Sequence, residues 1–131
     1  MKTLAILSAA CGIAFAGAAS AANITVYYSP TCPHCHHARE FINNTLVYEY
    51  PNLTVSEVNV MTAENSKVVD EAFKQCEYES RGLPVIVVGE KCFQGYADFM
   101  QKDLRDAVEV DLSDDEKATA AYAEQCLSQI D

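Results

Sequence analysis

A short apolar strand that leads into two closely spaced cysteines constrains this chain more than any other feature. Residues 23–29, NITVYYS, are β-branched and aromatic and stand just before a proline, which predicts a strand. The next segment, TCPHCHHAREF, places Cys32 and Cys35 three positions apart, with Pro33 between them. Proline is favoured at the first position of a helix, and apolar residues then recur at helical spacing over 38–46. The sequence therefore predicts a strand followed at once by a helix whose first turn carries a dithiol.

The remainder of the chain alternates between strand and helix patterns. Further strands are predicted at 53–60, 85–89 and 92–96, and further helices at 64–77, 97–109 and 113–130. Phe99 is assigned to the apolar face of the third helix, and Ser113 with Glu116 forms a capping box that opens the last one. Parallel first and second strands followed by a hairpin predict the α/β class: a central four-stranded mixed sheet flanked by helices, plus an extra C-terminal helix.

The first 21 residues have the pattern of a secretory signal peptide. Lys2 precedes an apolar run rich in alanine and glycine, and small residues at 19–21 suit a cleavage site. We expect residues 1–21 to be removed and residues 22–131 to form a single domain. The expected location is the periplasm or another secreted compartment, where disulfides persist.

The charge of the chain narrows the classes of partner. The net charge is −10 and basic residues form no patch, so nucleic acid and anionic membrane surfaces are expected to be poor partners. We expect a monomer that does not insert stably into membranes after cleavage. Its partners would be protein thiols or disulfides and a redox partner that the sequence does not identify.

The spacing of Cys32 and Cys35 suits disulfide exchange. A thiolate is the attacking species in that reaction, and the unpaired N–H groups and dipole of a helix start stabilise negative charge on Cys32. Pro33 sets that helix start, and His34 can add positive potential between the two cysteines. Cys35 faces the same side one turn deeper, where it can attack Cys32 to resolve a mixed disulfide.

Two segments, YYSPTCPHC and GLPVIVVGEKCFQGYADF, resemble the thioredoxin superfamily, and the second is most similar to glutaredoxins. The resemblance implies a thioredoxin/glutaredoxin-like fold in which a cis peptide at Leu83-Pro84 lies opposite the dithiol. It implies a catalytic role for Pro84 and a substrate-binding role for the Leu83 backbone and for Pro33. Gly95 and Asp98 match the family's Gly-x-x-Asp pattern for substrate binding, with Gln94 where a first glycine is usual.

The Pro-His dipeptide of the CPHC motif is similar to that of DsbA-type periplasmic oxidases. That resemblance implies an oxidant, because such a pair favours the reduced, thiolate form of the dithiol. Exchange of this kind needs no organic cofactor and no metal, and glutathione is a candidate small-molecule partner. Glutaredoxins usually carry a lysine just before the dithiol loop, whereas this chain has Ser29, Pro30 and Thr31 there.

Four other interpretations of the cysteine and histidine cluster stay open at the sequence level. A glutathione-linked periplasmic disulfide reductase would use the same dithiol in the opposite direction. The run from Cys32 to His36 also matches the C-x-x-C-H pattern for haem attachment, and Cys32 and Cys35 with His36 or His37 could bind zinc or copper. An interaction domain with an idle dithiol is the last alternative.

The cysteines outside the dithiol suggest a structural disulfide. Cys76 lies on the apolar face of its helix, and Cys92 and Cys126 complete an odd total in the mature chain. The expected positions in the fold favour Cys76 with Cys92, although spacing leaves all three pairings open.

Overall fold

The computed structural model describes residues 22–79 and 82–130, without the side chains of Asp111 and Ile130. The predicted signal segment lies outside the described residues, so its removal stays a prediction. Within the described part of the chain, no helix combines the length and the apolarity that crossing a membrane requires.

The sheet has four strands in the order β2-β1-β3-β4. They are β1 (Asn23–Tyr28), β2 (Thr54–Asn59), β3 (Val85–Val88) and β4 (Lys91–Gln94). β1 pairs parallel to β2 and antiparallel to β3, and β3 and β4 form a hairpin. Gly89 has a φ of +59° in the hairpin turn, a conformation that glycine adopts at little cost. The mixed sheet confirms the predicted architecture.

Helices cover both faces of this sheet. They are α1 (Pro33–Phe41), α2 (Val47–Glu49), α3 (Ser66–Gln75), α4 (Gln101–Val108) and α5 (Asp114–Ile130). One π-helical segment, Ile42–Leu46, joins α1 to α2, and 3₁₀ turns occupy Ala63–Asn65, Asp98–Met100 and Glu109–Asp111. The predicted capping box is present at the start of α5, where the backbone N–H of Ser113 donates to Glu116 at 2.8 Å.

The alternation of side chains along the strands divides the core into two layers. Ile24 and Val26 of β1 face a layer built with α1, α4 and α5, whereas Tyr27 faces a smaller layer under α3. Successive side chains of a strand point to opposite faces, so one strand serves both layers. Side chains therefore pack against β1, the strand that leads to the dithiol, on both faces of the sheet.

The sequence-based assignment of Phe99 to the core was wrong. Its side chain is 83% exposed because Asp98–Met100 forms a 3₁₀ turn instead of the first turn of the α-helix. A turn with three residues per repeat rotates side chains away from the stripe that the 3.6-residue period predicts. The apolar face of α4 is formed by Leu104, Ala107 and Val108.

A disulfide joins Cys76, at the end of α3, to Cys92 in β4, with a Cα–Cα distance of 5.8 Å. It is the first of the three pairings that the sequence left open. Cys126, half-buried in α5, takes no part in this bridge.

A buried ion pair connects α4 to α2. Arg105 donates to both carboxylate oxygens of Glu49, each at 2.9 Å, and the Glu49 side chain is only 1% exposed. The same guanidinium lies 5.3 Å from the ring centroid of Phe41. A bidentate pair of this kind satisfies a carboxylate that burial would otherwise destabilise.

Candidate active site

A tight turn after β1 fixes the position of Cys32. The backbone N–H of Cys32 donates to the carbonyl of Ser29 at 3.1 Å, and the Ser29 hydroxyl lies 3.2 Å from that of Thr31. Cys32 has extended dihedral angles and is the N-cap of α1, and Pro33 follows at the first helical position. The sheet therefore carries the dithiol at the point where β1 passes into α1.

The sulfur of Cys32 acts as the capping acceptor of its own helix. The backbone N–H of Cys35 donates to Cys32 Sγ at 3.2 Å, in the way that a serine or aspartate oxygen caps other helices. The N–H groups of the first turn have no partner within a helix, and the helix dipole is positive there. The partial exposure of Cys32 leaves its sulfur open to a substrate at this helix start.

Cys35 has the opposite environment, although it is one turn away. It is 1% exposed, and burial, followed by the hydrogen bond with Cys32, raises the pKa of the Cys35 thiol to about 11. A backbone hydrogen bond from Ser29 and the charge of Arg39 act in the other direction. Cys35 is thus a thiol near neutral pH, and in this structure it is not joined to Cys32.

The segment before β3 lies beside the exposed sulfur. The Leu83-Pro84 peptide is cis, and the Leu83 carbonyl lies 3.9 Å from Cys32 Sγ. The carbonyl of Pro84 accepts a hydrogen bond from the backbone N–H of Gly95 at 2.7 Å. The structure therefore brings Leu83, Pro84 and Gly95 to one edge of the sheet with Cys32.

Gln94 contacts the chain at this edge, and Asp98 follows Gly95 by three residues. The side-chain amide of Gln94 donates to the Gly82 carbonyl at 3.1 Å, so it holds the chain just before Leu83. Asp98 is exposed at the start of its 3₁₀ turn, three residues beyond Gly95. Gly95 itself has a φ of +89°, which a residue with a side chain rarely adopts.

The three histidines are exposed on α1. His34 lies between the cysteines, while His36 and His37 both approach the carboxylate of Glu40, at 3.5 and 3.6 Å. Among the described residues, no group of three or more histidine, cysteine, aspartate or glutamate side chains is arranged to hold a metal ion. The helix directs His36 and His37 toward solvent and Glu40.

Sequence reasoning missed Arg39, which lies one turn beyond Cys35. Its guanidinium carbon is 4.0 Å from the ring centroid of Tyr28, and its Nη2 donates to Glu57 of β2 at 3.0 Å. Asn43 donates to the other Glu57 oxygen at 2.8 Å, and the hydrogen bond from Arg39 is the main reason that the pKa of Glu57 lies below its usual value. A cation in mid-helix is typical of a solvated face, but its spacing of four from Cys35 could have indicated the electrostatic interaction between the two residues.

Comparison with protein families gives one match over this region. The family model described as Glutaredoxin matches residues 24–93, more than half of the 131 residues. No curated protein matches the sequence.

Several solved structures have a similar fold. A glutaredoxin from Archaeoglobus fulgidus aligns over 63% of this chain and 84% of its own, with 25% identity and a TM-score of 0.49. The glutaredoxin-like NrdH-redoxin from Escherichia coli aligns over 61% and 92%, with 21% identity and a TM-score of 0.43. Mitochondrial thioredoxin 3 from Saccharomyces cerevisiae aligns over 67% and 76%, with 16% identity and a TM-score of 0.45.

Proposed function

Since this chain belongs to the glutaredoxin family, whose members generally exchange thiols and disulfides, we propose that it is an exported oxidant of protein thiols. Its reaction would pass through the Cys32–Cys35 pair of the CPHC motif. The mature protein, residues 22–131, would act as a monomer in the periplasm or another secreted compartment.

One observation carries the oxidant direction. Cys32 Sγ accepts the Cys35 N–H at 3.2 Å at the start of α1, where the helix dipole favours negative charge. An interaction that stabilises the thiolate stabilises the reduced enzyme, and a stabilised reduced form makes the disulfide a stronger oxidant. His34, exposed between the two cysteines, would add to this effect when protonated.

The proposed reaction moves two electrons from substrate to enzyme. A substrate thiolate attacks Sγ of Cys32 in the oxidised enzyme, the Cys32–Cys35 bond breaks, and Cys35 leaves as a thiolate that takes up a proton. A second substrate thiolate then attacks the substrate sulfur of the mixed disulfide, and Cys32 leaves as a thiolate. The substrate gains one disulfide, the enzyme keeps two thiols, and an unidentified redox partner must reoxidise it.

The surroundings of Cys32 support a protein substrate. The Leu83 carbonyl, 3.9 Å from Cys32 Sγ, is placed to pair with an extended segment of substrate. Pro84 and Pro33 would contact the substrate beside Cys32, and Gly95 and Asp98 would contact it at the margin of the site. This chemistry needs neither a metal nor an organic cofactor, and glutathione would enter only as a small thiol substrate.

The reduction potential of the Cys32–Cys35 pair tests the proposed direction. Mature protein is equilibrated with glutathione buffers, free thiols are alkylated, and the peptide that carries Cys32 is quantified by mass spectrometry. We expect a potential of about −150 mV or higher, on the oxidant side of the known range. His34→Ala should lower the potential, while the matched variant His37→Ala, whose ring faces Glu40, should leave it in place.

A potential of about −230 mV or lower would overturn the oxidant role. The same dithiol would then serve a disulfide reductase, and the rate with glutathione mixed disulfides would become the relevant measurement.

A further inference from the structure

Resolution of a mixed disulfide requires a thiolate at a buried position. Cys35 must lose its proton before it can attack Cys32 Sγ, yet its side chain is 1% exposed. Three described neighbours influence it: Cys32, the backbone of Ser29 and the charge of Arg39. Of these, Arg39 contributes the only positive charge.

Arg39 lies on the same face of α1 as Cys35, one turn beyond it, and its charge acts on the Cys35 thiol. Residues four apart lie on one face of a helix, and long helical side chains point back toward the N-terminus. Arg39 is held in this direction by the ring of Tyr28, 4.0 Å away, and by Glu57 at 3.0 Å. These contacts fix the charge instead of leaving it free in solvent.

The Nε atom of Arg39 takes no part in the ion pair with Glu57. Nε of Arg39 is buried and has no hydrogen-bond partner among the described residues, although Nη2 is paired with Glu57. A buried donor without a partner costs free energy of folding, so its presence calls for an explanation.

We propose that Arg39 is a positioning residue for the resolving step, in which its fixed charge and partnerless Nε–H stabilise the thiolate of Cys35 as it attacks Cys32 Sγ. The inference rests on the proposed function, since it assigns a role within the same exchange reaction. The Coulomb interaction between the two residues agrees with this role: burial raises the pKa of the Cys35 thiol most, and the charge of Arg39 acts against that rise.

The negative charge of Glu57 opposes the effect of Arg39 on Cys35. Its carboxylate hydrogen-bonds to Arg39 and is itself held by Asn43. The negative charge of Glu57 partly offsets the field that Arg39 exerts at Cys35. Removal of Glu57 and removal of Arg39 should therefore act on Cys35 in opposite directions, although both break the same ion pair.

A two-phase reaction with dithiobis(nitrobenzoate) separates the two cysteines. In the first phase the Cys32 thiolate attacks one sulfur of the reagent, its S–S bond breaks, and one nitrothiobenzoate thiolate is released. In the second phase the Cys35 thiolate attacks Cys32 Sγ, the mixed disulfide breaks, and a second nitrothiobenzoate leaves. Both releases are followed by absorbance in stopped flow over a range of pH.

Arg39→Gln should slow the second phase relative to the first and shift its pH profile upward. A shift of one pH unit corresponds to a fall on the order of tenfold in the thiolate fraction near neutral pH. Arg39→Lys, which keeps a cation, should retain most of the second-phase rate. Glu57→Gln should shift the profile downward and leave the second phase as fast as in the unmodified protein or faster.

The inference is overturned if Arg39→Gln and Glu57→Gln shift the second-phase profile in the same direction, or if neither shifts it. Either result would assign Arg39 to packing between α1 and the sheet. Loss of the first phase in the unmodified protein would instead contradict the proposed function, so the two failures are distinguishable.

Discussion

At the scale of single residues, the site depends on the contrast between two cysteines three positions apart. Cys32 lies outside the first turn of α1, partly exposed, and receives the Cys35 N–H. Cys35 lies inside that turn and is buried. One cysteine is therefore arranged to attack or to be attacked from solution, and the other to act only within the protein.

This contrast predicts selective alkylation of the reduced protein. Near neutral pH, iodoacetamide should modify Cys32 and leave Cys35 unmodified, because burial raises the pKa of Cys35 to about 11 and limits access. Cys35 should react appreciably only as the pH approaches that value, which peptide mass spectrometry over a pH series can follow. The Cys32→Ser variant serves as the control for Cys35 alone, and rapid labelling of Cys35 at neutral pH would contradict the assignment.

At the scale of elements, the segment from α1 to α2 presents two side chains to Arg105 of α4. Phe41 and Glu49 are eight residues apart, which would separate them by about 80° on a regular α-helix. The π-helical turn Ile42–Leu46 winds more slowly, and Arg105 of α4 contacts both side chains. Local winding of one helix thus creates a buried site for the guanidinium of another.

This pairing predicts a large effect of a small substitution. Glu49→Gln should reduce the free energy of unfolding by roughly 3 kcal/mol, because the buried charge of Arg105 loses its bidentate partner and, among the described acidic residues, keeps Glu124 at 3.6 Å. Urea denaturation measures the change. On the same helix α4, Asp106→Asn breaks the exposed pair with Lys102 and should have no measurable effect.

Equal effects of the two substitutions would contradict this account. They would mean that the Glu49–Arg105 contact contributes no more to stability than an exposed ion pair does.

At the scale of the whole molecule, a disulfide closes the chain around the segment that lies beside Cys32. Cys76 and Cys92 are 16 positions apart in sequence, and Leu83 and Pro84 lie between them. A cross-link of this kind reduces the entropy of the unfolded chain, by an amount that depends on the length of the loop.

Removal of this bridge should lower stability without removing the dithiol. The double variant Cys76→Ser/Cys92→Ser should lose about 3 kcal/mol in the free energy of unfolding, the value expected for a loop of this length. Urea denaturation without reductant gives the value. The matched variant Cys32→Ser/Cys35→Ser keeps the bridge and should retain most of the stability, so a similar loss in both would contradict a structural role for Cys76–Cys92.

The sequence was sufficient for the features that depend on local pattern. The parallel pairing of β1 with β2, the hairpin at Gly89 and the capping box at Ser113 follow from the order of elements, periodicity and turn chemistry, and the structure has each of them. The sequence does not predict the partners of charged groups when those partners are distant in the chain. Arg39 and Arg105 both have the pattern of solvated helix residues, and their partners Glu57 and Glu49 lie 18 and 56 positions away.

The widened turn Ile42–Leu46 also has a consequence for the comparison of homologous sequences. Its hydrogen bonds span five residues instead of four, so it accommodates one residue more than a regular turn. A relative whose helix is regular here would be one residue shorter between Phe41 and Tyr50. Alignment by sequence would tend to place that gap at the neighbouring loop, Pro51 and Asn52, whereas the insertion itself belongs within the helix.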